Sequence, residues 1–130
     1  VRRFLPRRRL LWAISSLAMR RTSYEQMNCS IASALDVVGE PWTLLIVRDC
    51  FLGKSRFEEF QKSLGVTRHV LSDRLKRLVE AGVLERNPYS QKPLRYDYRL
   101  TDKGRDFAPA LVGLKDWGKK HMPIRKPAAM

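Results

Sequence analysis

What the chain has little of narrows it first. It holds two cysteines, Cys29 and Cys50, far apart and with no C-x-x-C pair. That spacing sets aside a disulfide-stapled secreted fold and fits a reducing cytosol. No apolar run reaches the roughly 18 residues of a membrane span, so no membrane partner is expected. The only histidines are His69 and His121. There is no G-x-x-x-x-G-K-[ST] loop, no H-E-x-x-H pair and no pair of acids in an evident cleft, and catalysis is left without its usual apparatus. A metal site drawn from Cys29, Cys50, His69 and His121 matches no zinc spacing, and neither a metal nor another cofactor is expected. Acidic residues are the remaining scarcity, 13 against 26 Lys and Arg, for a formal charge of +13.

An excess of that size favours a polyanionic partner, either nucleic acid or an anionic surface. Its distribution weakens the inference. Residues 1–18 hold five arginines and no acid, and Lys119, Lys120, Arg125 and Lys126 add four cations near the end. Seventeen basic residues then face thirteen acidic ones in the middle of the chain. A length of 130 residues suits one domain with a modest core. The opening VRRFLPRRRLLWAISSLAMRR has the outline of a signal peptide, with arginines, a short apolar run and small residues. An export signal, an extra helix and an upstream extension of the reading frame all fit it. The chain opens on Val and everything domain-like follows Met19, which favours the extension. The expected organisation is an extension over 1–18 outside the native protein, a domain over 19–122 and a disordered tail over 123–130.

Hydrophobic spacing then predicts a series of helices. Ile31, Ala34, Leu35 and Val38 recur at i, i+3, i+4 and i+7, one helix face, which Gly39 ends. Pro41 suits a helix start, and WTLLIVRDCFLG, apolar almost all round, predicts a second helix at the centre of the core that stops at Gly53. Ser55 with Glu58 three residues on makes a capping box for a third helix carrying Phe57, Phe60 and Leu64. Gly65-Val66 forms a tight turn into Thr67, an N-cap for a fourth helix. Two short helices so joined make a helix-turn-helix.

The fourth helix gathers Val70, Leu71, Leu75, Leu78 and Val79 on one arc and His69, Ser72, Asp73, Lys76 and Glu80 on the other. Ala81-Gly82 closes it, and Val83-Leu84 begins extended chain. From Leu94 to Leu100 the sequence alternates strictly, with Leu94, Tyr96, Tyr98 and Leu100 on an inward face and Arg95, Asp97 and Arg99 outward. Between the strands, NPYSQKP has a proline near each end and reads as a hairpin loop. Thr101 with Asp102 starts a last helix, striped by Phe107, Leu111, Leu114 and Trp117.

Three helices, a two-stranded hairpin and a closing helix, in that order, give a mainly helical α+β chain, a winged helix-turn-helix. A helix buried along its leucines can lay its polar face in the major groove of double-stranded DNA, about 12 Å wide. The base-reading candidates are then Thr67, Arg68, His69 and Ser72, with Asp73 and Lys76 beyond them. Arg and Lys pair with guanine, Ser and Thr with several bases, and Asp accepts from the cytosine amino group. Arg74 and Arg77 lie nearer the flanks and are assigned to phosphates or internal ion pairs. Gln91 and Lys92 in the loop, with Arg95 just beyond, are placed for the adjoining minor groove or its phosphates.

A merely solvated face is the usual fate of a lone amphipathic helix, but the tandem of cap, turn, second helix and hairpin argues otherwise. Use of the fold on RNA or protein predicts exposed aromatics, whereas Tyr96 and Tyr98 fall in the inward register. Sequence-independent DNA binding is the alternative, marked by a steep salt slope and little preference between duplexes.

CSIASALDVVGEPWTLLIVRDCFLG, followed by RFEEFQKSLGVTRHVLSDRLKRLVEAGVLER and PLRYDYRLTDKG, resembles the HxlR family of bacterial winged-helix transcriptional regulators. The resemblance spans about Cys29 to Trp117, with A-L-D-x-x-G, W-T-L-L-I, L-x-x-R-L and Y-x-L-T in order. Glu40-Pro41 stands where the family usually has Gly-Lys, and Leu94 where a second proline is common. The resemblance implies a cytoplasmic homodimeric repressor or activator on a roughly two-fold operator, its dimer built from the first helix and a C-terminal dimerisation helix.

Some members sense oxidants or electrophiles through a cysteine just before the first helix, and Cys29 stands at that position as a candidate redox sensor. A helix N-terminus is the kind of positive setting an activated thiol needs. A small thiol with no sensing role fits Cys29 as well, and Cys50 is most simply a core residue. The operator, the regulated genes and the effector are not legible in the chain.

Overall fold

The computed structural model describes residues 28–123. The expected extension over 1–18, and the expected tail apart from Pro123, lie outside the described residues. The chain divides into two units, Val1–Pro41 and Trp42–Met130. In the first, helix α1 covers Ser30–Val38. Cys29, in extended conformation, begins it by accepting from Ser33 N at 3.0 Å, and Gly39 N closes it on Leu35 O at 2.7 Å. Of the stripe expected there, Val38 is buried while Ile31, Ala34 and Leu35 are exposed.

The second unit runs α2 (Thr43–Phe51), α3 (Phe57–Leu64), α4 (Arg68–Glu80), β1 (Leu84–Gln91), β2 (Leu94–Leu100), α5 (Asp102–Arg105) and α6 (Ala108–His121). Its core is built from Ile46, Val47, Phe60, Leu71, Leu75, Leu78 and Leu84, each almost fully buried. Side chains of this size contribute about 1.5–3 kcal/mol apiece when fully removed from water. Phe60 sets its edge against Tyr98, with ring centroids 6.5 Å apart, so α3 is packed on the hairpin through its one fully buried residue.

Six local expectations are corrected. The second helix begins at Thr43, not Pro41, because Trp42 adopts a left-handed φ of 79° that a right-handed helix cannot contain. Nor is that helix buried all round. Leu45 and Leu52 are exposed, and fully buried among the apolar residues is Asp49, paired with Arg48 at 2.9 Å. The capping carboxylate of α3 is Glu59, one residue later than expected. It accepts from Ser55 N and Arg56 N, both at 2.9 Å, and those two bonds lower its pKa. Arg56 is the N-cap because its extended backbone bridges to Asp97 in β2, which moves the start of the helix by one position.

The hairpin loop is far shorter than the seven residues expected, since the strands run on to Gln91 and Leu94 around a two-residue Lys92-Pro93 turn. Pro88 is tolerated because the register shifts between it and Ser90, with Tyr89 bulged out of the pairing. Alternation in β2 also fails at two places, for Leu94 is exposed and Asp97 is buried. The Ser55-Arg56 segment bonds to the other edge of that strand, Tyr98 N donating to Ser55 O at 2.7 Å, and encloses Asp97.

Finally, the single last helix expected after Thr101 is two. Thr101 caps α5 by accepting from Gly104 N at 3.1 Å, and the chain turns at Asp106-Phe107. Pro109, in the first turn of α6, lacks the N–H that a continuous helix would spend on Arg105 O. Along α6 only Leu111 of the expected stripe is buried, Phe107 is half-buried, and Leu114 and Trp117 are exposed.

Candidate nucleic-acid interface

The turn between α3 and α4 is made by Gly65, whose φ of 70° is comfortable only without a side chain, and by Val66, which is buried. Thr67 follows as N-cap, its hydroxyl accepting from Val70 N at 3.2 Å. From there α4 keeps Leu71, Leu75 and Leu78 inside and leaves Arg68, His69, Ser72, Lys76 and Glu80 exposed. The division expected from periodicity is therefore present along the whole helix.

Two expected site residues are committed to contacts within the helix. Asp73 Oδ2 accepts from Arg74 Nη1 at 2.7 Å and from Arg77 Nε at 3.0 Å. Of the two uses foreseen for Arg74, phosphate or internal pair, its burial fits the second. Arg77 remains about one third exposed and holds Asp73 across one turn of helix. Pairs of that kind at a surface contribute about 0.3–0.5 kcal/mol, so they orient side chains more than they stabilise the helix.

Three arginines lie on aromatic rings, the first joining the start of α3 to the wing, the second joining α3 to α4 and the third lying across the two strands of the wing. Arg56 covers Tyr89 at 3.8 Å, Arg68 covers Phe57 at 4.7 Å and Arg86 covers Tyr96 at 4.2 Å. Arg95 reaches back to Glu58 at 3.4 Å with both side chains largely exposed. Ser72 and Lys76 come together with Arg86 and Tyr98 around a cavity of about 320 Å³ between α4 and the base of the wing. Burial pushes the Tyr98 hydroxyl pKa up, with the Arg86 charge opposing it. A second hollow, about 340 Å³, places Arg68 and Arg95 on common walls with Tyr89 and Tyr96. Gln91 and Lys92 sit exposed at the wing tip and border neither cavity.

Sequence reasoning missed Arg56, Arg86 and Tyr89. Arg86 pairs across the strands with Tyr98 and stacks diagonally on Tyr96, a signal that appears only once residues 87–91 are read as strand rather than loop. The two cysteines differ in setting. Cys29 is exposed at the start of α1, whereas Cys50 is mostly buried, and burial together with the neighbouring Asp49 charge pushes its thiol up to about 12.

Helix-turn-helix, exposed polar helix and arginine-braced hairpin together define a winged helix-turn-helix with its cationic wing beside its second helix. The chain belongs to the HxlR-like helix-turn-helix family, whose family model matches residues 37–126. It is similar to the HTH-type transcriptional regulator Rv3095 of Mycobacterium tuberculosis, 49% identical over 107 residues, covering 82% of this chain and 68% of that one. Among solved structures it is similar to the candidate transcription factor PA1607, with a TM-score of 0.73 and 44% identity over 84% of this chain and 76% of the other. It also resembles the redox regulator HypR in its oxidised form, at TM-score 0.67 and 31% identity, covering 74% of this chain and 100% of that one. The family is one of DNA-binding helix-turn-helix transcription regulators. Among the described residues no single helix is long and apolar enough to cross a membrane.

Proposed function

We propose that the chain is a cytoplasmic, homodimeric, sequence-specific regulator of transcription that seats α4 of each subunit in successive major grooves. Half-site centres then lie about 34 to 36 Å apart, one turn of DNA. The observation that carries this reading is the two-sidedness of α4, leucines fully buried and His69, Ser72 and Lys76 exposed. Thr67, Arg68, His69, Ser72 and Lys76 read bases, and Asp73 joins them through the carboxylate oxygen that its arginine partners do not use. Arg77, Gln91, Lys92 and Arg95 hold phosphates. Exposed Leu114 and Trp117, neighbours on one face of α6, support a dimer, since apolar side chains so arrayed are ordinarily covered. Dimerisation matters energetically because two linked half-sites multiply a modest single-site affinity.

The deciding experiment maps binding sites on the host genome and then compares operator and scrambled duplexes at fixed salt. Ser72→Ala and Lys76→Ala should erode discrimination. Arg95→Ala should weaken both duplexes alike and reduce the salt slope by about one phosphate contact. Equal affinity for operator and scrambled duplexes would favour sequence-independent binding instead. A thiol response through Cys29 is the finer part of the proposal, supported by the exposure of that thiol and by the similarity to a redox regulator.

A further inference from the structure

A cavity of about 340 Å³ opens between the end of α2, the loop after it, β2 and α5. Phe51, Tyr98 and Leu100 supply its apolar wall, and Lys54, Arg99 and Arg105 supply positive charge, with no Asp or Glu in the lining. Two of the three cations are held by other contacts. Asp97 accepts from Arg99 at 3.1 Å, while Arg105 donates to Leu100 O at 2.8 Å and to Asp102. A guanidinium has five N–H donors, so these contacts fix each group in place and leave further donors available. Lys54 is placed by its backbone N–H, which donates to Asp49 O at 3.0 Å. The wall includes Cys50, whose raised pKa keeps it neutral and so adds no negative charge.

We propose that this cavity binds a small organic anion, a carboxylate on a single apolar ring, and that its occupancy is passed to the wing. The volume falls within the size of small-molecule sites, and an apolar wall with a few fixed donors is their usual make-up. The route to the wing is short. Ser55 and Tyr98 line the cavity, and the bond from Tyr98 N to Ser55 O joins β2 to the segment that begins α3. A ligand wedged beside that bond bears on how the wing stands against α3 and α4. The binding site stands on its own geometry; its consequence for DNA rests on the regulator reading above.

The test uses benzoate as probe, with benzyl alcohol as its neutral counterpart, on the full chain and first without DNA. Titrations followed by calorimetry and by amide shifts should show saturable benzoate binding at least about tenfold tighter than benzyl alcohol, the difference a charge-assisted contact supplies. Lys54→Glu should weaken benzoate by about tenfold or more on the same grounds, while Lys54→Arg retains it. Absence of saturation, equal binding of the neutral probe, or an unaffected Lys54→Glu variant with unchanged thermal unfolding overturns the site.

In a second arm, saturating benzoate should change operator affinity by about fivefold or more, the lower end of ordinary coupling between sites. Binding of benzoate with unchanged operator affinity overturns the coupling alone. Failure of the ligand-free chain to prefer an operator overturns the regulator reading and leaves the ligand site standing.

Discussion

Cys50 should be chemically silent in the folded chain while Cys29 reacts. The pKa of Cys50 is raised from the ordinary 9.0 to about 12, first by burial and then by the Asp49 charge beside it. The thiolate is the reactive species. At pH 7.5 an ordinary thiol is ionised in about three molecules per hundred, and one with a pKa near 12 in about three per hundred thousand. Cys50 should therefore be alkylated about a thousandfold more slowly than an ordinary thiol, before any steric protection is counted. Iodoacetamide labelling followed by intact mass should show one prompt adduct, lost in Cys29→Ser, and a second only when urea unfolds the chain. Labelling of folded Cys50 at a rate within about tenfold of the unfolded chain would refute the argument from burial.

The same shift carries a pH dependence whose sign is fixed. Below pH 9 the thiol is protonated in both folded and unfolded chains, and it contributes no pH dependence there. Between pH 9 and about 12 the unfolded chain loses this proton while the folded chain keeps it, so stability falls as pH rises. The loss is on the order of a few kcal/mol by the top of that range. Cys50→Ala should flatten this alkaline limb in urea titrations. On the proposed reading the oxidant response belongs to Cys29, and Cys29→Ser should abolish an oxidant-dependent change in operator binding that Cys50→Ala leaves intact.

Three further substitutions probe how the reading head is built. A Cβ on Gly104 would lie 2.3 Å from Val83 O and 2.9 Å from Leu100 Cδ2, and the first of these is backbone. Gly104→Ala should cost about 1–3 kcal/mol in denaturant unfolding, because α5 must lift off the start of the hairpin. Phe60→Ala empties the contact between α3 and Tyr98 and should cost about 3–5 kcal/mol in the same assay. Thr67→Ala removes the cap on Val70 N and should cost about 1 kcal/mol, seen in thermal unfolding monitored by circular dichroism.

The parts of the fold that were legible are those decided locally. Gly65, Thr67 and the leucines at 71, 75 and 78 state their roles through spacing and turn chemistry alone, and α4 folds as they imply. What sequence reasoning missed was decided by contacts distant in the chain. Glu59 displaces Glu58 as capping carboxylate because Arg56 is drawn into extended pairing with Asp97, some forty residues on. Asp97, polar in an alternating strand, is enclosed by that same pairing. Prolines near both ends of residues 87–93 signal a loop, yet one falls beside a bulge and the other in a two-residue turn, positions that need no N–H for the ladder.

The candidate site was legible as a face but not as a set of available groups. Periodicity says which side of α4 looks outward; it does not say which outward side chains are already spent. Asp73 illustrates the gap, since one carboxylate oxygen serves both Arg74 and Arg77. That oxygen is spent on two guanidiniums, so any acceptance from a cytosine falls to the other oxygen, in a direction those pairs set. On the proposed reading, Ser72 and Lys76, one helical turn apart on the exposed face and bordering the same cavity as Arg86, are the central readers of the set that begins at Thr67. Asp73 then acts by fixing where Arg77 stands. A wing held by Arg56 on Tyr89 and by Arg95 on Glu58 keeps its phosphate-holding cations at a set distance from those two readers, so that backbone contacts and base contacts share one register.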